Sequence, residues 1–190
     1  MSKYSRQVPP PTLPDFDAAA LKRAVKHEHR WHPIVWIDEL RTKCGLGGGE
    51  RYIDLWGIRA NADQGCTSYT FEIKVSRADF QRDLKQPSKQ DGARALSNEF
   101  YFVTPPGLLK PEEIPDWAGL MEPTPGFKYG VGTKMVPTWQ WWSDRDPRLR
   151  VIKPAPATKK IEPTWPLVVS LLRRERDGFV TVPEAGKETT

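Results

Sequence analysis

The chain has 190 residues, with 29 Lys plus Arg against 24 Asp plus Glu, a formal charge of +5 and a pI of about 9.2. At 38% hydrophobic, 28% charged and a mean hydropathy of −0.61, it can build one core and does not fit a collagen, a coiled coil or a wholly disordered chain. No apolar run approaches the roughly 20 residues that span a bilayer. The opening MSKYSRQVPPPTLPDFD lacks the apolar centre of a secretory signal, so the expected location is the cytoplasm.

Residues 1–14 are polar and proline-rich and are expected to form a flexible arm. Phe16, Ala19, Ala20, Ala24 and Val25 then recur at helical spacing, with Asp15 as the expected N-cap and an end near Arg30, ahead of Pro33. His27, His29 and His32 crowd this helix end. Residues two apart do not share a helix face, so they read as a polar terminus more readily than as a metal site. Cys44 and Cys66 are too few thiols for an iron–sulfur cluster or a four-Cys zinc site.

Three strands are expected next, at Ile34–Arg41, Tyr52–Arg59 and Ser68–Val75. A glycine-rich turn at Gly45–Gly49 joins the first two, and a hairpin loop at Asn61–Gly65 joins the others. In the third, Tyr69, Phe71, Ile73 and Val75 alternate with Thr70, Glu72 and Lys74. Helices follow over Arg77–Leu84 and Ser88–Ser97, broken near Pro87. The apolar run Phe100–Val103 reads as a buried central strand.

Short strands are expected at Leu120–Met121 and Leu149–Ile152. Between them lies an irregular loop or hairpin packed by Trp139, Trp141 and Trp142, and a helix is expected at Trp165–Arg174. The order is helix, three strands, helix, strand, with C-terminal additions. It indicates a mixed α/β or α+β domain over about 15–180 and a tail at 181–190.

Glu72 and Lys74, two apart on a strand, emerge on one face. Alone they read as a surface ion pair worth about 0–1 kcal/mol. The neighbouring strand changes that reading, because Asp54 lies between Ile53 and Leu55, where a carboxylate is costly to bury unless paired or bound to a cation. Adjacent strands lie about 5 Å apart, so Asp54 and Glu72 can converge at one sheet end. Two oxygen ligands plus water suit Mg²⁺ or Mn²⁺, with the Ile73 carbonyl as a third oxygen. Lys74 beside them is placed to orient or deprotonate a water and to offset charge on a phosphate.

Tyr52-Ile53-Asp54 followed by Glu72-Ile73-Lys74 resembles the PD-(D/E)xK nuclease superfamily, with Ile53 in place of its usual proline. The stretches Trp36–Arg41, EIKVSRADF from Glu72 and NEFYFVTPPGLL from Asn98 sharpen the resemblance toward MmcB-type DNA-repair nucleases of bacteria and phages. It covers about residues 20–122, with a weaker echo at Leu149–Lys153 and the terminal helix.

The resemblance implies a restriction-endonuclease-like core and metal-dependent cleavage of DNA. Asp54 and Glu72 are then metal ligands and Lys74 the catalytic lysine. Glu39 is the first choice for an upstream acid and Glu28 the second. Arg77, Lys85 and Lys89 on the helices after the motif are expected phosphate contacts, with Arg82 and Arg94 nearby. Asp79 is expected to cap its helix, and Asp83 and Asp91 to dilute the basic face. DNA is the expected partner, with a protein partner or a homodimer secondary and no membrane. The alternative is a catalytically silent module of the same fold that binds DNA or protein.

Overall fold

Helix α1 (Ala18–Glu28) starts two residues later than its apolar spacing suggests. Its N-cap is Asp17, not Asp15, and the Asp17 carboxylate accepts from the Ala20 N–H at 2.6 Å. That leaves Phe16 just ahead of the cap, buried edge-on against Trp139 and Trp142 with ring centroids 5.3 and 4.7 Å away. The structure, a computed structural model, describes residues 13–41, 52–61, 65–86, 88–129, 135–139, 142, 147–159, 162–176 and 180–181. The arm as far as residue 12, the Gly45–Gly49 turn, Cys44, Trp141 and the tail past 181 lie outside the described residues.

Strands β1 (Ile34–Arg41), β2 (Tyr52–Asn61) and β3 (Gly65–Ile73) form an antiparallel meander, closed at the β2–β3 hairpin by the pair Asn61 and Gly65. Helices α2 (Arg77–Leu84) and α3 (Ser88–Arg94) carry the chain back, so β4 (Glu99–Val103) runs parallel to β3. β5 (Gly119–Thr124) lies parallel to β4. A small hairpin, β6 (Gly126–Tyr129) with β7 (Met135–Thr138), precedes β8 (Arg148–Lys153), which pairs antiparallel with β5. After helix α4 (Trp165–Arg176), the two-residue strand β9 (Val180–Thr181) pairs with β1. The mixed sheet runs β8-β5-β4-β3-β2-β1-β9.

Alternation of side chains gives the sheet two buried faces. On one, Leu21, Ala24 and Val25 of α1 pack on Ile34, Trp36, Leu55, Phe71 and Val103. On the other, Phe80 of α2, Ala93 of α3 and Leu167 of α4 cover Ile37, Trp56, Phe100, Phe102 and Leu120. The fold is thus a mixed α/β sheet flanked by helices. Trp139 and Trp142 belong to the first core, so that aromatic pair is packing. Lys22 and Lys26, one turn apart on α1, reach consecutive acids of β1, Glu39 at 3.8 Å and Asp38 at 2.5 Å. Among the described residues no helix is long and apolar enough to cross a membrane.

Gly119 sits where β5 passes under Tyr101. A Cβ there would lie 2.5 Å from two ring carbons and 2.6 Å from the backbone nitrogen of Ala155. The backbone atom cannot swing aside as a side chain can. Gly119→Ala is therefore expected to lower the unfolding free energy in urea by about 1–3 kcal/mol. A loss under about 0.5 kcal/mol would show that the two strands have room to part.

Candidate active site

The site begins with a break in a ladder. β2 and β3 pair from Asn61 and Gly65 down to Leu55 and Phe71, and two more residues of the same register would set Ile53 opposite Ile73. The Ile73 N–H instead donates to Asp54 Oδ2 at 2.8 Å, so a side-chain carboxylate takes the place of a strand carbonyl. β2 also changes face here, because Ile53 lies in one core and Leu55 in the other. β1 turns at the neighbouring point. Glu39 lies between the pairs Asp38–Leu55 and Leu40–Ile53 and has φ of 54°, a left-handed conformation rare for a residue with a side chain. The kink across β1 and β2 brings Asp54 out of the sheet beside the end of β3.

Glu72, one residue before Ile73, has a side chain only 12% exposed. Burial, with the Asp54 charge beside it, pushes its carboxyl up to about 7 against the pull of Lys74. Burial likewise raises Asp54 above the ordinary carboxylate range, opposed first by the Ile73 N–H and then by Lys74 and Lys22. Two carboxylates whose charges resist each other in a desolvated place form a hard-oxygen donor pair suited to a small divalent cation. Among the described residues no three His, Cys, Asp or Glu side chains converge as a ligand set. A cation on Asp54 and Glu72 would keep most of its shell for water, backbone and phosphate, as Mg²⁺ does. Ile73 enters the described contacts through its N–H.

Lys74 follows the strand, and its backbone N–H still donates to Val103 O of β4 at 3.0 Å. Its side chain is only 5% exposed. The ammonium meets Glu72 Oε1 at 2.9 Å, Asp83 Oδ2 at 2.6 Å and Asp79 Oδ2 at 3.6 Å. Helix α2 delivers the last two. Phe80 locks edge-on against Phe102, whose centroid is 5.2 Å away, and Asp79 and Asp83, one turn apart, share that inner side. Burial works against the charge on Lys74, but Glu72 and Asp83 outweigh it and hold its pKa above the ordinary lysine range. In this environment Lys74 is a fixed cation and hydrogen-bond donor.

The other expected residues divide. Glu39 stands beside Asp54 on the next strand, with a side chain 65% exposed and turned to Lys22. Glu28 is spent elsewhere, its Oε2 accepting from the Leu149 N–H of β8 at 3.2 Å. Asp79 is not a cap: Ser76 is, accepting from the Asp79 N–H at 3.2 Å, while the Asp79 carboxylate pairs with Arg82 and Lys74. Arg77 is tied to Glu113 and to Leu108 O, so it braces the loop after β4. Lys85 is exposed at the C-cap of α2. Lys89 lies in α3 with its side chain outside the described residues.

The residue missed from the sequence is Asp83. Its signal was the i, i+4 repeat with Asp79 on either side of the apolar Phe80, which marks an acid on the inward face of α2. His29 is packed among Trp36, Tyr69 and Phe71, away from these carboxylates, and burial lowers its pKa.

No family model and no curated protein matches the sequence. Among solved structures, the SPO1766 protein of unknown function from Silicibacter pomeroyi is similar, with a TM-score of 0.50 and 18% identity over 93% of this chain and 100% of that one. At that identity the likeness concerns the fold.

The raised Glu72 carboxyl has a stability consequence of definite sign. Between its ordinary value of 4.5 and its folded value of about 7, the folded state keeps a proton that the unfolded chain has lost. Stability from this group therefore falls as pH rises through that window, by at most about 1.4 kcal/mol per pH unit. Glu72→Gln has no such proton. The unfolding free energy of wild type minus that of the variant, from urea titrations, should decline across the window and level off above it. A difference that stays flat would show an ordinary carboxyl.

Proposed function

We propose that the chain is a Mg²⁺- or Mn²⁺-dependent nuclease that hydrolyses phosphodiester bonds of DNA, built on a restriction-endonuclease-like core. The observation that carries this reading is the position shared by Asp54 and Glu72 at the kinked end of β2 and β3, with the Lys74 ammonium fixed 2.9 Å from Glu72. A desolvated acid pair beside a buried lysine fits the chemistry of an anionic substrate held through a cation. The resemblance of Tyr52–Asp54 and Glu72–Lys74 to the PD-(D/E)xK superfamily points the same way.

In this account Asp54 and Glu72 would hold the metal, and the Ile73 carbonyl would supply a further oxygen. When bound, the cation polarises the scissile phosphate and makes water a better nucleophile. The Ile73 N–H fixes the Asp54 carboxylate against rotation. Lys74 donates a hydrogen bond to the phosphate and offsets the charge that grows there. Glu39, on the neighbouring strand, is placed to act through water. Lys85, exposed at the C-cap of α2, is the proposed phosphate contact, since Arg77 is engaged with Glu113 and Arg82 with Asp79.

A silent binding module of the same fold draws on one observation: the Lys74 charge is already met within the protein by Glu72 and Asp83. Cleavage separates the two readings. With labelled single- and double-stranded DNA, hydrolysis should require Mg²⁺ or Mn²⁺ and fall at least about 100-fold in Asp54→Ala and in Lys74→Met. Wild-type protein that binds DNA but leaves it intact in every metal would favour the module, and undiminished cleavage in both variants would end the nuclease reading at this site. Lys85→Ala should weaken DNA binding and reduce the slope of log K against log salt by about 0.7–0.9. Arg77→Ala should leave that slope unchanged and lower thermal stability instead.

A further inference from the structure

We infer that Asp83 is the positioning residue of Lys74, an inference that rests on the nuclease reading above. An ammonium has three N–H donors and no preferred rotation of its own on a flexible four-carbon stem. Here two of the three are spoken for, by Glu72 Oε1 at 2.9 Å and Asp83 Oδ2 at 2.6 Å, and Asp79 Oδ2 at 3.6 Å is beyond hydrogen-bond reach. With two directions of a tetrahedral group fixed, the third is fixed as well. Among the described residues that third N–H has no hydrogen-bond partner.

The two anchors differ in what a cation does to them. Glu72 would share its charge with a metal held by Asp54 and Glu72, so its grip on Lys74 would weaken when the site is loaded, and the metal would also repel the ammonium. Asp83 is on α2, outside that pair, with a side chain 13% exposed. Its carboxylate pairs with Lys74 at 2.6 Å without belonging to the proposed ligand pair. Phe80, three residues earlier and docked on Phe102, holds the helix that carries it. Asp83 thus keeps the ammonium aimed at the phosphate once Glu72 is engaged, and acts on the reaction through Lys74.

The test is a double-mutant cycle in the full chain, with DNA cleavage under saturating Mg²⁺ as the readout. Asp83→Asn should lower kcat about 10–100-fold, as a misplaced catalytic group does, while KM for DNA changes less than about 2-fold. In a Lys74→Met background the same substitution should change kcat less than about 3-fold, since nothing remains to position. A 10–100-fold loss that persists in that background would assign Asp83 a structural role and overturn the inference. Wild-type kcat in Asp83→Asn would overturn it while leaving the nuclease reading intact, and wild-type protein inert in every metal would end both. If Asp83→Asn fails to fold, the Lys74 ammonium in ¹⁵N-lysine-labelled wild type still decides. The inference expects one slowly exchanging signal that persists with Mg²⁺; an ammonium in fast exchange with water once Mg²⁺ is added would overturn it.

Discussion

A backbone donor at the end of a strand needs an acceptor, and at Ile73 the acceptor is the carboxylate of Asp54. The rest of the site depends on that substitution. Had the β2–β3 ladder continued, Ile53 would have satisfied Ile73, and Asp54 would have stayed within a paired strand between two apolar neighbours. Instead β2 switches faces at Asp54, β1 turns beside it at Glu39, and the sheet opens where the chain leaves β3. An acid becomes part of the backbone's hydrogen bonding and is held there more firmly than rotamer preference alone would hold it. The same end of β3 points Glu72 and Lys74 toward α2, on the face opposite α1.

The electrostatics follow from that placement. Charges withdrawn from water need partners, and breaking a buried pair costs about 3–5 kcal/mol because it strands the survivor. Lys74 is supported by two hydrogen-bonded carboxylates and a third nearby, whereas Asp54 has a single backbone N–H and more distant lysines. The balance leaves the acid pair strained toward protonation and the lysine strained toward charge. A divalent cation would relieve the first, while Asp83, outside the acid pair, still meets the charge of Lys74. That asymmetry supports reading Asp54 and Glu72 as a cation seat and Lys74 as its positive partner.

Period-2 alternation made β3 readable, and the apolar run at Phe100–Val103 made β4 readable, because both strands are covered by helices and carry their burial in the sequence. β1 was read over its full length for the same reason. The acid–E-x-K arrangement was readable because a carboxylate between Ile53 and Leu55 has no cheap explanation. Errors fell where local signals tie. Asp15 and Asp17 are equal as caps until Phe16 finds Trp139 and Trp142, a contact about 120 residues away that no local window contains. Val75 continues the alternation, yet it is exposed because the strand ends at Ile73. Asp83 and Arg77 looked interchangeable with the other charges of α2. Which of them faces Lys74 and which faces Glu113 depends on how Phe80 seats the helix. Strand β9 is two residues long and has no periodicity to read.

The central claim is that Asp54 and Glu72 form one divalent-cation seat. Its most direct test is calorimetric titration of the purified protein with Mn²⁺ in the absence of DNA. The account predicts one Mn²⁺ per chain, with affinity weakened at least about 10-fold in Asp54→Asn and likewise in Glu72→Gln, since each removes a ligand charge. No saturable binding by the wild type, or binding that both variants leave unchanged, would contradict it.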